Sequence, residues 1–306
     1  MTSPRTNLVT RSVLITGAAG QLGWELQRCT PASLRCVAVD VDQLDVTDDD
    51  AIDAMLDREQ PCAIINAAAY TAVDRAEQDA DLAAAINATA PALLARAAAA
   101  RGCKLIQIST DFVFDGLSGR PYQPDDGASP QSVYGRTKLE GERAVSAANP
   151  QSLILRTAWL YSAHGNNFVK TMLRLMNERD RLSVVADQVG TPTWARGLAQ
   201  AIWIALQRDL HGIHHWTDAG VASWYDFAVA IAEEGLALGL LQRLPELTPI
   251  RTQDYPAPAP ASRPPYSVLD KHDTWSALEC TSPHWRVQLR SMLQELKDTR
   301  NGGTDA

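Results

Sequence analysis

Tyr134 and Lys138 stand four residues apart in VYGRTKLEGE, the spacing that sets one side chain above the other on an α-helix. On a solvated helix face such a pair is ordinary. Beside a substrate carbonyl it is a proton donor and the cation that adjusts its acidity. A free phenol titrates near ~10 and is a reluctant acid at neutral pH. An ammonium about 4 Å away at an effective dielectric of about 20 is worth about 4 kcal/mol, or about three pKa units, which would bring Tyr134 near neutrality. The other ammonium donors would then be free to hold a ribose. QISTDFVFDG adds Thr110, with Asp111 next to it; a threonine hydroxyl there can donate to an oxygen that gains negative charge.

VLITGAAGQLGWEL supplies Gly17, Gly20 and Gly23 directly after a β-rich run and at the opening of a helix. The spacing is G-x-x-G-x-x-G and not the commoner G-x-G-x-x-G, but the physics carries over: a tight turn, backbone N–H groups close to a pyrophosphate, and a helix packed against the sheet. Asp40 ends the next β-rich run near the offset of roughly 20 residues at which a carboxylate reaches an adenosine ribose. Asp42 and Asp45 follow it. INAAAYTAVD places Asn66 and the small residues Ala67, Ala68 and Ala69 after a third run, where a flat ligand could lie against backbone.

These groups need a scaffold that brings them to one edge. β-Rich runs at SVLIT, RCVAVD, CAIINA, KLIQIST and SLILRT alternate with helix-length amphipathic segments, which predicts an α/β fold with a Rossmann-type doubly wound parallel sheet. Thr47 is the expected N-cap of the helix that follows it. Past about residue 157 the rhythm loosens into helices near 167–177, 195–207, 224–238 and 285–297. The division expected is a dinucleotide-binding domain over 11–156 with sheet returns from later segments, a smaller mixed α/β lobe over 157–299 that is mainly substrate-binding, and a flexible tail over 300–306. The Pro-dense Tyr255–Tyr266 segment reads as an extended loop.

A formal charge of −8 gives no overall reason to bind nucleic acid or an anionic membrane. Five scattered cysteines without a C-x-x-C pair speak for reduced thiols in the cytoplasm, and no apolar run of signal-peptide length opens the chain. The apolar Leu82–Ala100 tract, interrupted by Asn87, Pro91 and Arg96, is expected as a buried helix bent or divided near Pro91. In HGIHHW, His214 and His215 would point to opposite faces of a strand, so no metal is assigned there.

With the glycine loop, NAAA, STDFVFDG and Y-x-x-x-K on the page, the chain resembles the extended short-chain dehydrogenases/reductases. GQLGWEL, NAAAYTAVDRAE, LRTAWLY, GNNFVKTMLRL, DQVGTPTWA, GIHHWTDAGVASWYDFA and RPPYSVLD narrow the resemblance to the dTDP-4-dehydrorhamnose reductases. It implies reduction by NADPH or NADH of a dTDP-4-keto sugar at C4, with Tyr134 giving the proton and Lys138 and Thr110 assisting. It implies a cofactor lined by Gly20, Gln21 and Leu22, with Asp45, Val46 and Ala67–Ala69, and a sugar nucleotide met by Thr110, Asp111, Tyr134 and Trp159. Phe112 stands where the family usually has Tyr. Some relatives are associated with Mg²⁺ at a dimer interface through two glutamates; here Glu25 holds the first place and Arg196 the second, so a Glu25–Arg196 ion pair, a metal-independent enzyme and a monomer or weak dimer are expected. Two alternatives stay open: a non-catalytic regulatory subunit of the same fold, like the β subunit of methionine adenosyltransferase, and an epimerase or dehydratase of another nucleotide sugar.

Overall fold

The computed structural model describes residues 11–255 and 260–302, with side chains through residue 299. Strands β1 (Arg11–Thr16), β2 (Leu34–Val39), β3 (Ala63–Asn66), β4 (Lys104–Thr110) and β5 (Leu153–Thr157) alternate with helices in the first half. Those helices are α1 (Gln21–Arg28), α2 (Asp49–Glu59), α3 (Val73–Ala76), α4 (Ala80–Ala84), α5 (Ala90–Ala100) and α6 (Val133–Ala148). The second half carries the short strands β6 (Leu160–Tyr161), β7 (Arg181–Val185), β8 (Val189–Gly190), β9 (Thr193–Trp194), β10 (Gly212–His215), β11 (Ala222–Ser223) and β12 (Glu246–Ile250). Among them lie α7 (Phe168–Glu178), α8 (Ala195–Gln207), α9 (Trp224–Ala237), α10 (His272–Leu278) and α11 (Trp285–Gly302).

Six strands form one parallel sheet in the order β2-β1-β3-β4-β5-β10, the doubly wound Rossmann-type arrangement. The later half of the chain returns to it twice, with β10 on the edge and α8 against α1. Alternate residues of each strand serve opposite faces. Val13, Ile15, Ile65, Ile106 and Leu155 pack on α1 and α8, while Leu14, Ile64, Leu105 and Ile154 pack on α2, α5 and α6. Each such side chain contributes about 1.5–3 kcal/mol on burial, which fixes the register because a one-residue slip would exchange the faces. A separate core of Tyr161, Leu173, Phe227, Ile231, Trp285 and Leu289 holds α7, α9 and α11 together beside the sheet.

Local details depart from expectation for identifiable reasons. Asp48, not Thr47, caps α2 by accepting from Ala51 N–H at 3.0 Å, because the Thr47 hydroxyl is taken by the Asp45 carboxylate at 2.7 Å. The Ala80–Ala100 stretch is long and apolar enough to cross a membrane by length and composition, but half of it is buried in the fold. It is interrupted by a π-helical turn over Ala85–Thr89, immediately ahead of Pro91, where a missing N–H and the ring's bulk oppose a regular ladder. Helix α11 continues to Gly302 instead of ending near 297, since nothing before Gly302 stops it; residues 303–306 of the expected tail lie outside the described residues. So do 256–259 of the Pro-dense segment. The rest of that segment is tied across the molecule, with Val189 N–H donating to Pro265 O and Arg263 paired to Asp74 at 2.7 Å.

Candidate active site

A cleft of about 660 Å³ opens at the C-terminal ends of β1, β3, β4 and β5. It includes the switch point between β1 and β3, from which the chain runs to β2 on one side and to β4 on the other, the place where open α/β folds bind ligands. Gly17, Gly20, Gln21, Leu22, Gly23, Asp40, Asp45, Val46, Ala67, Ala68 and Ala69 line one part of it, and Thr110, Asp111, Tyr134, Lys138 and Trp159 line the other. The cleft thus brings together the glycine-loop, Asp40, alanine-run and Tyr134–Lys138 groups read from sequence, while Asp42 and Asn66 are not among its lining residues.

The glycine loop is shaped by close contacts. Gly17 has φ +69°, and a Cβ on it would fall 2.7 Å from Ala68 N. One on Gly23 would fall 2.1 Å from Gly17 O. The N-terminus of α1 has no side-chain cap, so its backbone donors remain available to an anion. Asp40 also holds the loop, accepting from Ala19 N–H and Val41 N–H at 2.8 Å each. Loop and helix thus offer a cradle without side chains, which suits a dinucleotide pyrophosphate.

Helix α6 begins with Ser132, whose hydroxyl accepts from Gly135 N–H at 3.1 Å, and so presents Tyr134 and Lys138 to the cleft. The Tyr134 ring meets Phe112 edge-on at 5.5 Å, so the unusual phenylalanine helps to seat the phenol. Lys138 is buried and donates to the Ile108 carbonyl at 2.6 Å. Burial pushes its ammonium down to about 8. The expected fall of Tyr134 toward neutrality is not found: removal from water pushes the phenol up to about 12, with the Asp111 charge adding to the rise and the Thr110 hydroxyl opposing it. The expectation assumed a screened ammonium aimed at the phenol, whereas desolvation dominates here.

Thr110 donates to Asp111 Oδ1 at 3.0 Å. The carboxyl of Asp111 is pushed up to about 6 by burial, and its Oδ2 has no partner. Trp159 holds a left-handed backbone, φ +48°, and stacks on Trp224 with ring centroids 3.6 Å apart. Asn166 and Asn167 also line the cleft and were not found from sequence. Asn167 reads locally as the N-cap of α7, which it is, accepting from Lys170 N–H at 3.1 Å; its bond to Gln21 Oε1 at 2.9 Å links residues no local signal connects.

The two histidines of β10 have other partners. His215 is pushed down to about 3 chiefly by burial, and His214 Nδ1 lies 3.3 Å from Thr274 Oγ1. Glu25 and Arg196 do meet, at 3.2 Å, and Arg28 approaches the same carboxylate oxygen at 3.6 Å. With two guanidiniums against it and Ser162 on its other oxygen, Glu25 does not fit a Mg²⁺ ligand.

The chain matches the model of the RmlD substrate binding domain over residues 11–298. It belongs to the RmlD substrate binding domain family. Members similar to it include the dTDP-4-dehydrorhamnose reductase of Aggregatibacter actinomycetemcomitans, 40% identical over 92% of this chain and 97% of the relative. A probable dTDP-4,6-dihydroxy-2-methyloxan-3-one 4-ketoreductase of Streptomyces antibioticus is 43% identical over 92% and 95%. The crystal structure of the dTDP-4-dehydrorhamnose reductase of Bacillus anthracis in complex with NADP superposes with a TM-score of 0.87 at 36% identity, covering 94% of this chain and all of that one.

Proposed function

We propose that the protein reduces dTDP-4-dehydro-L-rhamnose to dTDP-L-rhamnose with NADPH or NADH. What carries this reading is the meeting of Thr110, Tyr134 and Lys138 with the glycine cradle in one cleft, in a chain whose relatives are named for this reaction. The nicotinamide, when bound, supplies the hydride to C4. Tyr134 supplies the proton to the oxygen. At about 12 the phenol keeps its proton until an alkoxide, a stronger base than phenolate, develops beside it. Lys138 offers the positive charge that steadies the phenolate left behind, and the Thr110 hydroxyl, turned from Asp111 Oδ1, donates to the developing substrate oxygen. Asp111 Oδ2, buried and unpartnered, is suited to accept from a sugar hydroxyl, and Trp159, braced by Trp224, to form a wall for the sugar.

The test is to incubate the pure protein with dTDP-4-dehydro-L-rhamnose and NADPH and follow cofactor absorbance. Saturable oxidation with dTDP-L-rhamnose as product supports the reading; no oxidation removes it, and would also be the outcome for a regulatory subunit. The Streptomyces relative favours a second substrate, another dTDP-4-keto-6-deoxy sugar, which the same assay distinguishes by its kcat/KM. Asp40 at the end of β2 disfavours a 2′-phosphate, while the Bacillus anthracis relative was captured with NADP. Use of both cofactors is expected, with kcat/KM values within about a hundredfold, about 3 kcal/mol. The five free cysteines support placing the reaction in the cytoplasm.

A further inference from the structure

Glu142 lies one helical turn beyond Lys138 and is buried, though nothing in the reaction uses it. Its carboxylate accepts from Arg156 Nε and Nη2 at 2.9 and 2.7 Å and from the Ser109 hydroxyl at 2.5 Å. Ser109, Arg156 and His215 stand in one row across β4, β5 and β10. Arg156 Nη1 donates to the Pro124 carbonyl at 3.1 Å and lies 3.4 Å from His215 Nε2. Because His215 is neutral, with Nδ1 3.0 Å from the Asp270 carbonyl, it faces the guanidinium as an acceptor.

A buried ion pair is a weak source of stability, since desolvation of two charges offsets their attraction. Its geometry here specifies something else. Two contacts one turn apart clamp α6 onto consecutive residues of β4: Lys138 on the Ile108 carbonyl and Glu142 on the Ser109 hydroxyl. Thr110 is the next residue of that strand. We propose that Glu142 is a positioning residue for the reduction: through Ser109 and Arg156 it fixes Tyr134 and Lys138 in register with Thr110, and its carboxylate, one turn along α6, is the counter-charge to the buried Lys138 ammonium.

The other titratable or charged groups around Lys138 do not supply that charge. Tyr134 on the same helix is neutral, Asp111 past the end of β4 is half-titrated near about 6 and acts on Tyr134, Arg156 on β5 is cationic, and His215 behind it is neutral. Glu77 sits at the start of α6, bonded to Val133 N–H. Of these groups only Glu142 opposes the burial that lowers the Lys138 ammonium.

This inference rests on the reductase reading only for its kinetic arm. The chain has five lysines, so the ε-carbons of ¹³C-labelled lysine can be titrated individually in the cofactor-free protein, Lys138 being identified by its loss in Lys138→Met. Glu142→Gln is expected to lower the Lys138 titration by about one pH unit or more, and Glu142→Asp to keep most of the original value. In the enzyme assay the limb of the kcat profile that reports Lys138 should move with it, and kcat at neutral pH should fall about tenfold. A folded Glu142→Gln protein whose Lys138 titration moves by less than a few tenths of a unit, with only its melting temperature lowered, overturns the proposal. Should Glu142→Gln not fold, Glu142→Gln with Arg156→Met is compared with Arg156→Met alone, so that the loss of the guanidinium cancels, and the same displacement between the two or its absence decides. If the wild type turns over no sugar nucleotide, the spectroscopic arm still stands and the failure belongs to the functional reading.

Discussion

Tyr134 holds its proton more tightly than a free phenol, and Asp111 holds one well into the range where a free aspartate is ionised. Both follow from burial at the floor of a cleft, and each leads to a measurement. Tyr134→Phe removes the proton donor alone, so kcat should fall about 10²–10⁴-fold while the NADPH dissociation constant, read by fluorescence, stays within about twofold. Near-normal kcat would return the phenol to an ordinary helix residue. For Asp111 the folded carboxyl titrates near about 6 against 3.8 for the ordinary group, so between those values the folded state binds more protons than the unfolded one. Its contribution is most favourable below pH 3.8 and is lost as pH rises through 6. Asp111→Asn, which does not titrate, should therefore gain stability relative to wild type as pH rises from about 4 to 7, by up to about 3 kcal/mol. A pH-independent difference in urea denaturation would show that the carboxyl is not raised.

The helices that carry these groups are held by contacts of their own. Asn87, inside the π-helical turn, accepts from Tyr70 N–H at 2.9 Å and donates to Tyr70 O and Thr137 Oγ1 at 3.1 and 3.2 Å. It joins the segment after β3 to α6 one residue from Lys138. Asn87→Leu leaves those groups unpaired and should cost about 2–4 kcal/mol in urea denaturation, with faster amide exchange in α6; a loss under 1 kcal/mol would mean that water replaces the amide. The bounds of α8 were legible in WARGLAQAIWIALQ because an unbroken amphipathic run declares itself. The two-residue strands β6, β8, β9 and β11 were not, since a pair of residues has no period to read.

Across the whole molecule, Glu25 joins α1 to α8 through Arg196, and Arg28 joins α1 to α11 through Glu295 at 2.5 Å. Arg196 and Arg28 also lie over Trp194 and Trp24 at 4.7 and 4.2 Å. With guanidiniums filling the surroundings of Glu25, chelation should change nothing: activity in excess EDTA is expected within about twofold of that in excess Mg²⁺, and sedimentation should show a monomer or weak dimer in both. A several-fold loss of rate, or dissociation of a stable dimer, on adding EDTA would reveal a metal site built from other ligands.

The sheet, its order of helices, the glycine cradle and the Tyr134–Lys138 spacing were determined by the sequence itself, because each depends on periodicity or on residue types a few positions apart. The Arg196 substitution, too, foretold its pairing with Glu25. Only the tertiary structure decided what each group faces once it is out of water. Lys138 could be placed on a helix from its spacing, but that its ammonium turns to Ile108 O, that the Tyr134 phenol rises instead of falling, and that Glu142 meets Arg156 depend on packing. Desolvation is set by neighbours distant in the chain, and at a buried site it outweighs the pairwise attraction that spacing alone suggests.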